Sequence, residues 1–484
     1  MSSSADDVPT RLAGEDLAFW WCDSPRQPTT MAMLLVLDRM PDWSRLRRAV
    51  ERAIAAVPRL RQRVVEAPFD VTLPRWETDP TFDLDYHVRR HALASTHDLD
   101  ELLREIAPAY ETPFDRSRPL WESRVYEGMT DGRAAVFFKL HHAVADGVGA
   151  NAIFAAMTDW ERDPGDGSDE PGIDASKGAW SAPLSFASRL GDAVRDRIEL
   201  DIERARAAAR AIADVIRHPS RIPEALVALR SLAEVLSFDS HSPLRRSGAF
   251  GRARRLAGMD LPFEDVRRIR HALDGTMIDV ILSIMARAMG AWYRAQGMTG
   301  VRELMTLVPV NLRRPEEWTE KAHVGNVATG LLVTLPIDLH HPIATFREVR
   351  RRVERWKADP AAGATPALSE ILAVLGRQFV TWMGEASFGS VDFIVTNVPG
   401  ILATRYLAGA EIVAAYPFAP VAVTSPASIA LYGYRDRLFI GIDADQTVMP
   451  DVPAFQRMIV DAFAELAAVA GVGPAARAPA PPAR

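Results

Sequence analysis

The chain has 484 residues, 48% of them hydrophobic and 25% charged, the balance of a folded globular protein and too many residues for one ordinary core. A formal charge of −6 leaves no positive field to neutralise a phosphate backbone, which excludes nucleic acid as a partner. The single cysteine, Cys22, excludes an intrachain disulfide and a cysteine-based zinc site, and suits a reducing cytoplasm.

The first ten residues are polar and acidic and do not read as a secretion signal. Apolar runs are short, as over 327–335, or broken by proline, as over 413–431, so a membrane-spanning helix is not expected. Residues 12–160 mix amphipathic helix at 43–57 with strand-like runs at 31–37 and 134–142, and predict an α/β unit. The acidic, Gly- and Pro-rich stretch 163–172 lacks the spacing and closing glutamate of a calcium loop and reads as a linker. Residues 185–236 have a helical pattern broken at Pro219 and Pro223 and read as a crossover between halves. Their balanced arginines and acids suit a solvated face or contact with anionic headgroups.

A second α/β unit spans 250–470 and opens with helices at 263–273 and 277–292. Gly275 suits a left-handed stop to the first, and Thr276 with Asp279 has capping-box spacing for the second. Alternating strands around 434–437 form a hairpin, and the Ala/Pro-rich tail is expected to be disordered. Two halves of similar size leave a distant duplication open.

The chemistry concentrates at the end of the apolar run 134–140. His141 and His142 follow it, then a turn through Asp146 and Gly147, then a helix from about 149 to 160. Neighbouring strand residues point to opposite faces, so one histidine faces the core and the other a cleft. A zinc site would need converging histidines and a third ligand, and neither is evident. Gly147-Val-Gly-Ala-Asn-Ala fits a dinucleotide fingerprint only in letters: polar residues separate strand from turn and no acid-ended strand follows at the required distance. No G-x-S-x-G nucleophile elbow occurs. What remains is an imidazole that takes and returns a proton, which suits acyl transfer from a thioester without metal or resident cofactor.

His141-His-Ala-Val-Ala-Asp-Gly147 resembles the HHxxxDG signature of the CoA-dependent acyltransferase superfamily. Further segments resemble the bacterial wax ester synthase/acyl-CoA:diacylglycerol acyltransferase family: Gly14-Glu-Asp-Leu-Ala-Phe, Pro58-Arg-Leu-Arg, Pro119-Leu-Trp121, Val308-Pro-Val-Asn-Leu-Arg, Gly325-Asn326, Asn397-Val-Pro-Gly400, Tyr406-Leu-Ala-Gly-Ala and Ile442-Asp-Ala-Asp. The resemblance implies two pseudo-equivalent, chloramphenicol acetyltransferase-like α/β domains joined by a helical crossover, with a tunnel between them. The expected boundaries are 1–162 for the first domain, 163–245 for linker and crossover, 246–472 for the second domain and 473–484 for the tail.

The same resemblance implies acyl-CoA as substrate, a lipid alcohol as acceptor, and His142 as general base. It makes Asp146 an architectural carboxylate pairing with an arginine. Gly147 reads as a turn residue free of a Cβ clash, and His141 as a packed core histidine. Pro119 and Trp121 read as strand anchors or tunnel lining, and Thr396 and Asn397 as a turn cap or site-shaping pair. Ile278 departs from the asparagine common in the family beside Asp279, and Thr396 from its serine. The rival expectations are a carrier-protein-dependent condensation-type acyltransferase and a weakly catalytic lipid-binding paralogue. The acceptor, diacylglycerol or a long-chain alcohol, stays open, as do acyl length and oligomeric state. An insoluble acceptor and no spanning segment predict a cytoplasmic protein peripheral to a membrane or lipid inclusion.

Overall fold

The computed structural model describes residues 11–12, 14–25, 27–165, 186–217, 242–248, 250–311, 328–358, 381, 389 and 391–473. Pro219, Pro223, Gly325, Asn326 and the tail beyond 473 lie outside the described residues. The strands are β1 Thr30–Leu37, β2 Gln62–Val65, β3 Arg75–Thr78, β4 Val88–His97, β5 Trp121–Met129, β6 Ala134–His141 and β7 Arg254–Pro262. They continue with β8 Glu303–Asn311, β9 Ala328–Pro336, β10 Phe393–Ile401, β11 Tyr406–Leu407, β12 Ala410–Phe418, β13 Ala427–Tyr434 and β14 Arg437–Asp445.

Among the described residues two six-stranded mixed sheets form, in the orders β11-β12-β1-β6-β5-β4 and β7-β14-β13-β10-β8-β9, beside a two-stranded β2-β3 ribbon. Helices cover them. Trp43–Ala56 is amphipathic, starts on an Asp42 side-chain cap and buries Leu46, Ala49, Val50 and Ala53. Met277–Ala295 lies in the second half and is buried along most of its length. The crossover helix Phe186–Arg217 is tied to the first half, where Asp196 pairs with Arg11 at 2.5 Å and accepts from Thr72 Oγ1 at 2.7 Å.

The sheets do not follow the expected boundary at 246. Strands β11 and β12 come from the second half but complete the first sheet, with β12 antiparallel to β1 from Ala32↔Phe418 to Leu37↔Ile412. The reason is side-chain chemistry. Seven of the nine residues of β12 are buried, and β1 offers it an edge that water would otherwise solvate. The exchange is locked by Tyr434 of β13, whose hydroxyl donates to Ile412 O at 3.0 Å and accepts from Arg405 N at 2.9 Å.

The expected hairpin forms between β13 and β14, with Tyr434↔Arg437 flanking a two-residue turn. The helix stop after Phe263–Ala272 differs in detail from expectation. Asp274, not Gly275, takes the left-handed conformation, at φ 50°. Gly275 N donates to Arg270 O at 2.9 Å and Asp274 N to His271 O at 3.2 Å, a Schellman pair of bonds. Gly275 serves packing instead, since a Cβ there would come within 2.5 Å of the Phe346 ring. The capping box of Thr276 and Asp279 forms as expected.

Candidate active site

Strand β6 separates the two histidines as its pleat requires. Val136, Phe138, Leu140 and His142 line one cavity, while Phe137, Lys139 and His141 face the other side and are buried. The two imidazoles therefore cannot converge on one ion or one proton.

His141 is 2% exposed and anchors a polar knot. Its Nδ1 accepts from Ala143 N at 3.0 Å, which places the ring proton on Nε2. That nitrogen lies 3.0 Å from Thr29 Oγ1 and 3.7 Å from Asp23 Oδ2. Burial works against the Asp23 carboxylate, yet His141, the Thr29 amide at 3.0 Å and Arg116 at 2.8 Å hold it well below the usual carboxylate range. The knot fixes both neighbours of His142. Thr29 O accepts the His142 amide at 2.8 Å, and Phe19, from the helix Gly14–Cys22, stacks on the His142 ring at 3.9 Å and 19°.

Lys139 is the other titratable group on β6. Burial pulls it down to about 8 and Glu122, at 3.4 Å, resists the shift. Its ammonium donates to Ala109 O at 2.9 Å and stands 4.4 Å over Phe114, on the side away from the cavity. It is structural.

After the histidines the chain turns into the helix Gly147–Met157, which begins earlier and ends sooner than its apolar pattern suggests. Asp146 starts it: Oδ1 accepts from Gly149 N at 2.8 Å and its carbonyl from Ala150 N at 2.8 Å. Gly147 is not in the left-handed region, and the contact that excludes a side chain comes from the facing strand. A Cβ there would lie 3.1 Å from Val398 Cγ2 of β10. One turn on, Asn151 Nδ2 donates to Pro399 O, so the HHxxxDG helix and the Asn-Val-Pro-Gly strand are joined across the two halves. The loop is backed by a buried ion pair, Arg59 to Asp16 at 2.7 Å, in which Arg59 also reaches Val144 O at 3.4 Å. Two of the resemblance segments, far apart in sequence, meet in that pair.

The cavity beside His142 encloses about 940 Å³, its open mouth included. The first half contributes Met31, Met33 and Leu35 of β1 with the inward side of β6, and the second half contributes Val398, Phe418 and Ala430. Its walls are apolar, with His142, Asn151, Thr158 and Thr396 as the polar side chains in the described lining. Of the residues singled out from sequence, Gly147 and Thr396 join His142 there. Asn397 points to the opposite face of β10 and is exposed, as the strand period demands. Trp121 is buried outside the lining, stacked on His87 at 4.5 Å with Nε1 donating to Leu60 O at 2.6 Å. Pro119 is buried just before it, and its carbonyl accepts the Trp121 amide at 3.0 Å. Asp279 is buried in its capping box, with Thr276 N donating to Oδ2 at 2.8 Å, and it too lies outside the lining. Sequence reasoning passed over Phe19, Asn151 and Thr158. Phe19 closed a motif already noted, but nothing in its letters showed that it would touch His142.

The family description "wax ester synthase/diacylglycerol acyltransferase catalytic domain" matches residues 12–281, and the WS/DGAT C-terminal domain matches residues 324–467. A Mycobacterium tuberculosis protein provisionally named diacylglycerol O-acyltransferase is 31% identical over 464 residues, covering 94% of this chain and 90% of its own. A second from that species, named in the same way, is 29% identical over 444 residues, covering 90% and 91%. Among solved structures, the wax ester synthase/diacylglycerol acyltransferase of Marinobacter aquaeolei VT8 superposes with TM-score 0.62 at 20% identity, covering 96% of this chain and 100% of that one. The first condensation domain of the calcium-dependent antibiotic synthetase gives 0.60 at 19% identity, covering 96% and 97%. At such identities both show a shared fold.

Proposed function

The chain belongs to the wax ester synthase/diacylglycerol acyltransferase family and is an acyltransferase, and from that premise we propose that it moves a long-chain acyl group from acyl-CoA to diacylglycerol or a long-chain alcohol, with His142 as general base. The observation that carries this reading is the position of His142, the one histidine of the pair on the apolar cavity between the halves.

In this reaction His142 takes the proton of the acceptor hydroxyl as its oxygen attacks the thioester carbonyl. The tetrahedral intermediate collapses with cleavage of the C–S bond, and the imidazolium returns the proton to the leaving thiolate. General acid-base help of this kind is worth about 10² to 10⁴ in rate, so positioning and stabilisation of the oxyanion supply the rest. Apolar walls suit hydrocarbon chains and exclude the water that would hydrolyse the thioester. Nothing in the sequence of steps calls for a metal or resident cofactor. The acceptor is insoluble, and no helix among the described residues is long and apolar enough to cross a membrane. On this reading the enzyme works peripherally, at the surface of a lipid phase.

The test is thiol release and ester formation with palmitoyl-CoA and either a diacylglycerol or hexadecanol. His142→Ala should lose about 10² to 10⁴ in rate and melt close to wild type, whereas His141→Ala should lose about 1–3 kcal/mol of stability with its buried hydrogen bonds. A stable, fully active His142→Ala protein would end the mechanism. Thioester turnover with a carrier-bound acyl group but not with acyl-CoA would favour the condensation-type donor, and binding without turnover a lipid-binding role.

A further inference from the structure

Thr158 borders two hollows. It closes the helix-side wall of the His142 cavity, which starts at Gly147, and it also lines an open polar recess of about 860 Å³ with Arg52, Trp160 and Arg405. Phe154 and Met157 turn to the cavity, while Ala155 and Ala156 turn to the recess. Thr158, itself buried, is thus common to the walls of both hollows.

That side chain is held from both directions. Thr158 Oγ1 donates to Phe154 O at 2.8 Å and accepts from Arg405 Nε at 3.0 Å. Arg405, 4% exposed, also donates through Nη2 to Ala155 O at 3.1 Å and Thr158 O at 2.5 Å, and its guanidinium stands 4.1 Å from the Trp160 ring. Asp159 and Tyr406 exchange backbone bonds of 2.8 and 2.9 Å, which brings Leu407 of the cavity wall beside Thr158. A guanidinium committed to backbone carbonyls is a rigid backing, because each displaced bond would leave a buried polar group unsatisfied.

The distance from His142 to this end has a chemical meaning. The helix wall from Gly147 to Thr158 rises about 16 Å at ~1.5 Å per residue, and the strand wall from His142 to Val136 about 20 Å. A hydrocarbon zigzag with ~1.5 Å bonds advances about 1.3 Å per carbon, so the space takes about 12 to 15 carbons beyond the reacting end. We infer that Thr158, backed by Arg405, is the floor of the chain-binding cavity and sets the length of hydrocarbon chain that the site accepts. The inference rests on the acyl-transfer reading above. The chain is that of the acyl donor or of the acceptor, two sources with one chemistry.

The experiment is a chain-length ladder in two arms, acyl-CoA of increasing length with a fixed alcohol and alcohols of increasing length with fixed acyl-CoA. Thr158→Ala should raise kcat/KM for a chain two carbons longer, relative to the wild-type optimum, by about tenfold, the worth of two further buried methylenes. Thr158→Leu should shift preference the other way. A merely damaging substitution would scale every length equally. The arm that shifts identifies whose chain the cavity holds. Should neither variant fold, as judged by thermal melts, Leu407→Phe carries the shortening arm. Binding of the acyl-CoA ladder, read by quenching of tryptophan fluorescence, separates the two levels of the argument. Absent turnover at every length counts against the His142 reading, whereas ladders that stay parallel to wild type in binding and in both kinetic arms overturn the floor.

Discussion

Phe19 lies flat on the ring that the mechanism protonates, 3.9 Å between centroids. An imidazolium over an aromatic face gains about 0.5–2 kcal/mol, equivalent to up to about 1.5 units in the base's apparent pKa. Phe19→Leu keeps the apolar bulk and removes the π face. It should move the acid limb of kcat/KM to lower pH, by up to about 1.5 units, and lower the plateau, because the charged form loses stabilisation. A pH–rate profile on the two proteins checks this, and a limb that stays put would leave Phe19 a packing residue. His141 contributes at the same scale through geometry: its Nδ1 and Nε2 are both engaged, by the Ala143 amide and by Thr29, so it holds the loop on which His142 is presented. That division of labour was half legible beforehand. Adjacent strand residues must face apart, but the choice of which one meets the cavity rested on resemblance, since nothing in two neighbouring letters says where the core lies.

At the scale of elements, the site is a strand, a turn and a helix pressed against β10. Gly147 and Val398 are the contact, with a missing Cβ that would sit 3.1 Å from one valine methyl and 3.3 Å from the other. Gly147 opens its helix outside the left-handed region, so an alanine there meets no backbone strain, and any loss of activity reports the clash and not a weakened helix. We expect acyl transfer to fall several-fold and to recover when Val398→Ala is added in the same chain. Initial rates on the two singles and the double form a cycle, and strict additivity would remove the contact from the explanation. Periodicity announced the strand and the helix, and the capping spacing of Thr276 and Asp279 announced another helix start. It misjudged the end of the preceding helix, where Asp274 turns left-handed and Gly275 makes room for Phe346, because a stop signal in sequence does not say which of two adjacent residues a distant side chain will crowd.

For the whole molecule, the seam between the halves holds a buried acid. Asp443 of β14 is 2% exposed, and its Oδ1 has no hydrogen-bond partner among the described residues. Burial pushes it up to about 7, with Arg254 and the Tyr110 hydroxyl of the first half pulling it back in part. A folded-state value above the unfolded one of about 3.9 means that its contribution to stability is fully present below about pH 4 and is lost as pH rises through 7. Asp443→Asn imitates the protonated form. Its melting temperature should exceed wild type by a margin that grows from pH 5 to pH 8, and a margin constant across that series would contradict the assignment. The sequence by itself determined the mixed α/β class, the hairpin of β13 and β14, the capped helix start at Thr276 and the histidine-bearing strand, because each is written in local periodicity and short spacings. Only the tertiary structure decided that β12 crosses to the first sheet, that Asp16 finds Arg59, that Asn397 turns away while Thr396 turns in, and that Thr158 lines both the cavity and the polar recess. Those outcomes depend on which surfaces meet, and contacts between residues far apart in the chain are set by the summed burial of both faces, which no single stretch of the chain encodes.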